Sequence, residues 1–246
     1  MKVLLIVIDG LGDRGKNGTP LQNAKKKNLN TLAKNGFCAI SFPLGPGIVP
    51  GSDTGHLSLL GYDPKKYYVG RGIIEALGAN VKIYEGDVAF RANFATLERS
   101  QIIDRRAGRI SHEDAQKLSK EIEHIEVSGF DFYFQHTKGH RGVVIVRGKK
   151  GNASPLVTDT DPHCVGKAPY CKSLNEEGIE TAKAINEWTK KVNKILSESE
   201  INKERKKKKI PVANVVLLRG GSSLVEGKYF EGAKYFGPYV KEPVRV

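Results

Sequence analysis

The sequence predicts an α/β protein with an incomplete parallel-sheet core and an inserted α+β domain. Three observations carry this. Val3–Ile8 is an unbroken apolar run rich in Val and Ile, stopped by Asp9-Gly10. Such a run fits a parallel strand covered on both faces. A helical pattern over Thr19–Asn35 and a short apolar run, Phe37–Phe42, follow it, as in the β-α-β start of a doubly wound sheet. Near Gly78 the pattern changes to alternating strands and amphipathic helices, until a second buried run, Val212–Leu218, restores the first character. Residues 1–75 and 210–246 are thus expected to form the core, and 76–209 the inserted domain with its connector.

Each element has a local reason. Asp9 stands at the carboxyl end of the first strand, where ligand sites of open α/β sheets lie. Thr19-Pro20 opens a helix with a cap followed by proline, and Asn35-Gly36 stops it. Pro50-Gly51 breaks the chain before Ser52, Asp53 and Thr54, all good helix caps, and Gly61 ends the helix that they begin. Ser52 therefore stands at a helix N-terminus, which favours an oxyanion. A serine hydroxyl is a weak nucleophile unless a base or a metal takes its proton, and Asp9 could hold such a metal. The plain alternative is a loop carboxylate and a simple cap.

Arg71 lies between two glycines, at a turn or within reach of a ligand. Val88, Phe90, Ala92 and Phe94 alternate with Ala89, Arg91, Asn93 and Ala95, the period of a half-exposed strand that pairs with Ile102-Ile103. Arg105, Arg106 and Arg109 crowd one turn and could clamp an oxyanion. Ser111 caps a helix whose inner face is Ala115, Leu118, Ile122 and Ile125. Phe130–His136 and Gly142–Val146 read as strands, and His136, His140 and Arg141 gather at the turn between them. Asp159, Asp161 and His163 in TDTDPH could bind metal or substrate hydroxyls, or mark an ordinary turn. Asn175–Leu196 is a long amphipathic helix, Arg205–Lys209 a basic connector, and Arg219 ends the last buried run as Asp9 ends the first. So few buried strands cannot cover a parallel sheet. The pattern is that of the front part of something longer, or half of an assembly.

Composition narrows the partners. The 246 residues carry 40 Lys+Arg against 27 Asp+Glu, a net charge of +13, which suits an anionic partner. That partner is either nucleic acid or a phosphorylated small molecule, and no zinc-finger or RNA-binding motif is seen in the sequence. The charged runs Lys25–Lys27 and Arg205–Lys209 read as solvated surface. Mean hydropathy is −0.38 and no apolar run approaches the roughly 20 residues of a membrane span. A soluble cytoplasmic protein is expected. Cys38, Cys164 and Cys171 are an odd number without metal spacing, and read as free thiols.

In this order VLLIVIDGLGD, PGSDTGHLSLLGYDP, YYVGRGIIEALGA, RANFAT, DRRAGRI, HRGVVIVRG and TDTDPH resemble one family. It is the archaeal-type 2,3-bisphosphoglycerate-independent phosphoglycerate mutases of the alkaline phosphatase superfamily. The resemblance covers about residues 1–220. It implies an alkaline-phosphatase-like core and a metal-dependent isomerisation of 2- and 3-phosphoglycerate through a phosphoserine, in glycolysis and gluconeogenesis, without 2,3-bisphosphoglycerate. It implies that Asp9 and Ser52 bind divalent metal (manganese, magnesium or zinc) and that Ser52 carries the phosphoryl group. Arg105, Arg106, Arg109, His140, Arg141 and Arg219 are implied to hold substrate, with Arg71, Asp159, Asp161 and His163 as further candidates. Gly55 stands where the family has alanine. Similarity fades after Gly220, and the family's other Asp and His metal ligands do not follow. Activity is therefore expected to need the missing C-terminal half or a second polypeptide supplying it. The alternatives are a non-catalytic anion-binding remnant and a related phosphoesterase.

Overall fold

In the computed structural model, residues 2, 4–8, 10–13, 15 and 18–224 are described. The chain divides into two compact units, residues 1–42 and 43–246. In the first unit Thr19 Oγ1 accepts a hydrogen bond from Gln22 N (3.2 Å), and Gln22 Oε1 accepts one from Thr19 N (3.2 Å), before α1 (Pro20–Asn23). The expected single helix is interrupted, and α2 (Lys27–Asn35) follows. Of the expected strands at Val3–Ile8 and Phe37–Phe42, none is formed among the described residues, and Val3 lies outside them. Residues 4–8 have no regular structure, and Phe37 is 94% exposed. A strand is defined by its ladder, and neither run has a pairing strand among the described residues. Asp9, the rest of the Met1–Gly10 run and residues 225–246 of the tail lie in part or whole outside the described residues.

The second unit is mixed α/β. Helices α3 (Ser52–Leu59), α4 (Pro64–Tyr67) and α5 (Arg71–Gly78) precede β1 (Asp87–Glu98) and β2 (Gln101–Asp104). Then come α6 (His112–Glu121), β3 (His124–Val127), β4 (Phe130–His136) and β5 (Arg141–Gly148). They are followed by β6 (Gly166–Lys167), α7 (Ile179–Glu198), α8 (Glu200–Lys207) and β7 (Val215–Ser223). The sheet order is β3-β4-β5-β1-β2-β6, with β7 beside β1. All pairings among the described residues are antiparallel. The run Val212–Leu218 thus enters an antiparallel sheet as β7, where a parallel core strand was expected. Burial on both faces makes a strand continuously apolar whichever way its neighbours run.

That double burial also corrects the half-exposed reading of β1. Val88, Phe90, Ala92 and Phe94 pack into a core with Leu118 of α6 and Ile185 and Trp188 of α7. Trp188 is wholly buried and stacks on Phe132 at 5.2 Å. The opposite face, with Ala89, Val143 and Ile145, packs against Ile73 and Ala76 of α5. The contact is close because of Gly72. A Cβ there would lie 1.7 Å from the Ala89 carbonyl oxygen. The expected basic connector is helix α8, and Arg205 is not solvated. Its guanidinium, 5% exposed as a residue, donates to Asp114 (2.8 Å) and to the carbonyls of Ala107 and Pro211. All three cysteines are free, and no helix among the described residues is long and apolar enough to cross a membrane.

Candidate functional site

Alternation along the strands places arginines together on the α5 side of the sheet. Ala89 packs under α5, so Arg91, two residues on, projects from the same side. Arg219 of β7 is its direct cross-strand neighbour, and Arg141 of β5 stands opposite Asn93. Like charges directly opposed across a ladder are destabilising. Compensating carboxylates come from elsewhere. Glu75 of α5, 3% exposed, accepts from Arg91 Nη1 at 2.8 Å and from Arg71 Nη2 at 3.4 Å. Asp161, 2% exposed, takes Arg105 in a bidentate pair, with Nε and Nη2 both at 2.7 Å. Arg219 Nε lies 4.0 Å from the same carboxylate.

The helix that begins with Ser52 is tied to this cluster. Gly51 is its N-cap, and Ser52 is exposed in the first turn. The next residue, Asp53, is buried. Its carboxylate accepts from the Tyr68 hydroxyl (2.6 Å) and pairs with Arg71 Nη1 (3.4 Å). A Cβ on Gly51 would lie 2.4 Å from Asp53 Oδ1, so a side chain there would displace this carboxylate. A continuous chain of charge therefore runs Asp53–Arg71–Glu75–Arg91. Burial pushes the Asp53 carboxyl up, but Tyr68 and Arg71 outweigh it and hold it below the usual carboxylate range. Burial, and then the same carboxylate, hold the Tyr68 hydroxyl above its ordinary value.

Among the described residues, Arg71, Arg91, Arg105, Arg141 and Arg219 gather around the carboxylates of Asp53, Glu75 and Asp161. Burial lowers Arg91 to about 9, with Glu75 opposing and Arg219, Arg71 and Arg141 adding to the shift. Arg219 is lowered by burial and then by Arg71. His140 falls to about 4 through burial and then through Arg141, Arg106 and Arg91, so it is neutral at pH 7. Arg91 Nε, Arg219 Nε and Asn93 Oδ1 are buried without a hydrogen-bond partner among the described residues. Such groups are expensive unless something pairs with them. The arrangement suits a small polyanion.

The remaining predicted residues fall at the rim. Asp104 accepts from the backbone N–H of Arg106 (2.7 Å) and Gly108 (2.8 Å), which builds the turn that carries exposed Arg106 and Arg109. TDTDPH is a strap docked on β7. Asp159 Oδ1 accepts from Gly220 N at 2.8 Å, and Thr160 Oγ1 from Leu218 N at 2.8 Å. His163 lies 3.3 Å from Asp159, and its carbonyl accepts from Arg105 Nη1 at 2.9 Å. These carboxylates are engaged by protein groups, and among the described residues no three His, Cys, Asp or Glu side chains gather to hold a metal. Ser52 is the one described member of the expected metal pair, since Asp9 lies outside the described residues. One hydroxyl does not fill a site that normally needs about four or more ligands. Asp53, Tyr68, Glu75, Arg91 and Asn93 were not singled out from the sequence. The signal for the last two was their place in the alternating strand, which becomes a buried polar face once both sides are covered.

A family profile described as 2,3-bisphosphoglycerate-independent phosphoglycerate mutase matches residues 33–202. The chain is 45% identical over 225 residues to 2,3-bisphosphoglycerate-independent phosphoglycerate mutase 1 of Methanocaldococcus jannaschii, covering 89% of this chain and 54% of that protein. It is 46% identical to the mutase of Metallosphaera sedula over 90% of this chain and 55% of the relative. The solved cofactor-independent phosphoglycerate mutase from Thermoplasma acidophilum superposes with a TM-score of 0.60 at 40% identity, over 88% of this chain and 58% of that one. The chain thus spans about half the length of the curated relatives it matches. The chain belongs to the 2,3-bisphosphoglycerate-independent phosphoglycerate mutase family.

Proposed function

We propose that this chain supplies the phosphoryl-accepting serine and the substrate cradle of a phosphoglycerate mutase. The enzyme interconverts 2- and 3-phosphoglycerate through a phosphoserine and needs no 2,3-bisphosphoglycerate. The observation that carries the reading is the arginine-rich sheet face, tied through Asp53 and Arg71 to the helix that bears Ser52. In the forward half-reaction the Ser52 hydroxyl oxygen bonds to phosphorus and the substrate's P–O bond breaks. The serine proton leaves and the departing alkoxide gains one. The second half-reaction returns the phosphoryl group to the other glycerate hydroxyl. The chain's own contribution is positioning and charge. Guanidiniums of Arg71, Arg91, Arg141 and Arg219 neutralise the phosphoryl and carboxylate oxygens, and the α3 N-terminus favours the anion at Ser52. Arg105, Arg106, Arg109 and neutral His140 border the cradle.

A divalent cation (manganese, magnesium or zinc) would lower the pKa of the serine hydroxyl. Its ligands beyond Ser52 are proposed to come from Asp9 and from the part of the relatives that this chain does not match. The working site is then a composite with that part, in the same or a second polypeptide, in the cytoplasm. The test is complementation. The chain is assayed for 2- and 3-phosphoglycerate interconversion alone and with the C-terminal remainder of the Methanocaldococcus jannaschii relative, with manganese. Turnover is expected only in the complemented sample, and Ser52→Ala is expected to lower it at least about a thousandfold. Complemented turnover that survives Ser52→Ala overturns the proposal.

A further inference from the structure

We infer that Asn93 reads a hydroxyl group on the anion held by the arginine face, so that the site selects a hydroxyl-bearing phosphorylated acid over its deoxy counterpart. The inference rests on the phosphoglycerate reading and adds to it a residue that determines specificity. Asn93 lies on β1 two residues from Arg91, and both residues are 5% exposed. Its cross-strand neighbours are Arg141 on β5 and Leu217 on β7. Among the described residues, Arg91 and Arg219 each leave a buried Nε–H without a hydrogen-bond acceptor, and Asn93 leaves a buried Oδ1 without a donor. All three belong to neighbouring positions on the α5 side of the sheet. Two donors next to one acceptor do not complement a bare anion. An anion supplies acceptors only. A ligand that satisfies all three presents anionic oxygens to the guanidiniums and an O–H to the amide oxygen. Both phosphoglycerates have this inventory, with one free hydroxyl beside their carboxylate and phosphate. A site built to hydrogen-bond a hydroxyl rejects the analogue lacking it, because its buried acceptor is then left unpaired.

The experiment is isothermal titration of the full chain with 3-phosphoglycerate and with 2-phosphoglycolate, which keeps both anionic groups and has no hydroxyl. The wild-type chain is expected to prefer 3-phosphoglycerate about tenfold, equivalent to about 1.4 kcal/mol. In Asn93→Ala the preference is expected to fall to within about twofold, with phosphoglycolate affinity held within about twofold. Asn93→Ser, with a shorter hydroxyl acceptor, is expected to restore part of the preference, and thermal unfolding of each variant confirms that it is folded. Equal weakening of both ligands in Asn93→Ala would mean that Asn93 acts by shaping Arg141, and would overturn the inference. Equal wild-type affinities would overturn it while leaving the phosphoglycerate reading intact. A wild-type chain that binds neither ligand would overturn both.

Discussion

Glu75 gives the sharpest quantitative handle on the arginine face. It is 3% exposed, and its Oε1 takes Arg91 at 2.8 Å and Arg71 at 3.4 Å. In Glu75→Gln the shape and one acceptor remain, but the negative charge goes. Arg91, itself 5% exposed, then keeps its charge among Arg219, Arg71 and Arg141 without its counterion. Removing one partner of a buried pair costs about 3–5 kcal/mol, and the amide oxygen's remaining hydrogen bond puts this case near about 3 kcal/mol. For a unit of this size about 1 kcal/mol moves Tm by about 2–4 °C, so a loss of about 6–12 °C is expected. The variant also raises the uncompensated positive charge. An added anion should therefore recover more stability in Glu75→Gln than in the wild type. The assay is thermal unfolding of both proteins across a series of 3-phosphoglycerate concentrations at constant ionic strength. A Tm change under about 2 °C, or the same ligand-induced gain in both proteins, would refute the reasoning.

Two further outcomes follow from the same geometry. His140 has its folded pKa lowered to about 4 by burial and neighbouring arginines, against about 6.5 in an unfolded chain. Between those values the unfolded state binds the extra proton, so stability is complete above about pH 6.5 and declines as pH falls toward 4. Urea midpoints from pH 7.5 to 4.5 should show this slope, and His140→Gln should reduce it, with His136, also lowered by burial, supplying the remainder. Gly72→Ala places a Cβ 1.7 Å from the Ala89 carbonyl oxygen, a backbone atom that cannot rotate away. It should destabilise by about 1–3 kcal/mol or more in chemical denaturation and weaken anion binding, because α5 carries Arg71 and Glu75. An unchanged midpoint would mean that α5 does not sit where the sheet face requires.

Local pattern made several elements legible. The long α7 helix, the β1–β2 hairpin and the β4–β5 pair lie close to where periodicity and caps put them, and Ala115 and Leu118 do face inward from α6, whereas Ile122 caps that helix and Ile125 belongs to β3. Ser52 does begin a helix, and three arginines do share the turn after β2. Sequence reading failed where the answer depended on what covers a surface. Alternation separates two faces of β1 but does not say that α5 roofs the second one, and that roof depends on Gly72. Alternation alone therefore puts Arg91 and Asn93 on an exposed side. Arg205 looked like part of a solvated charge run, yet Asp114 and two carbonyls enclose it. The β7 run could not reveal its direction, because antiparallel and parallel strands buried on both sides have the same composition. The 4–8 run has the composition of a core strand, but no strand among the described residues pairs with it.

Ser52 is proposed to carry the phosphoryl group beside the arginine face. The complemented protein, turning over 3-phosphoglycerate, can be quenched and its phosphorylated peptides mapped by mass spectrometry. The expected result is a single phosphate, on the peptide containing Ser52, that is lost on chasing with unlabelled glycerate phosphate. Sustained turnover with Ser52 unmodified, or with the phosphate on another residue, would contradict it.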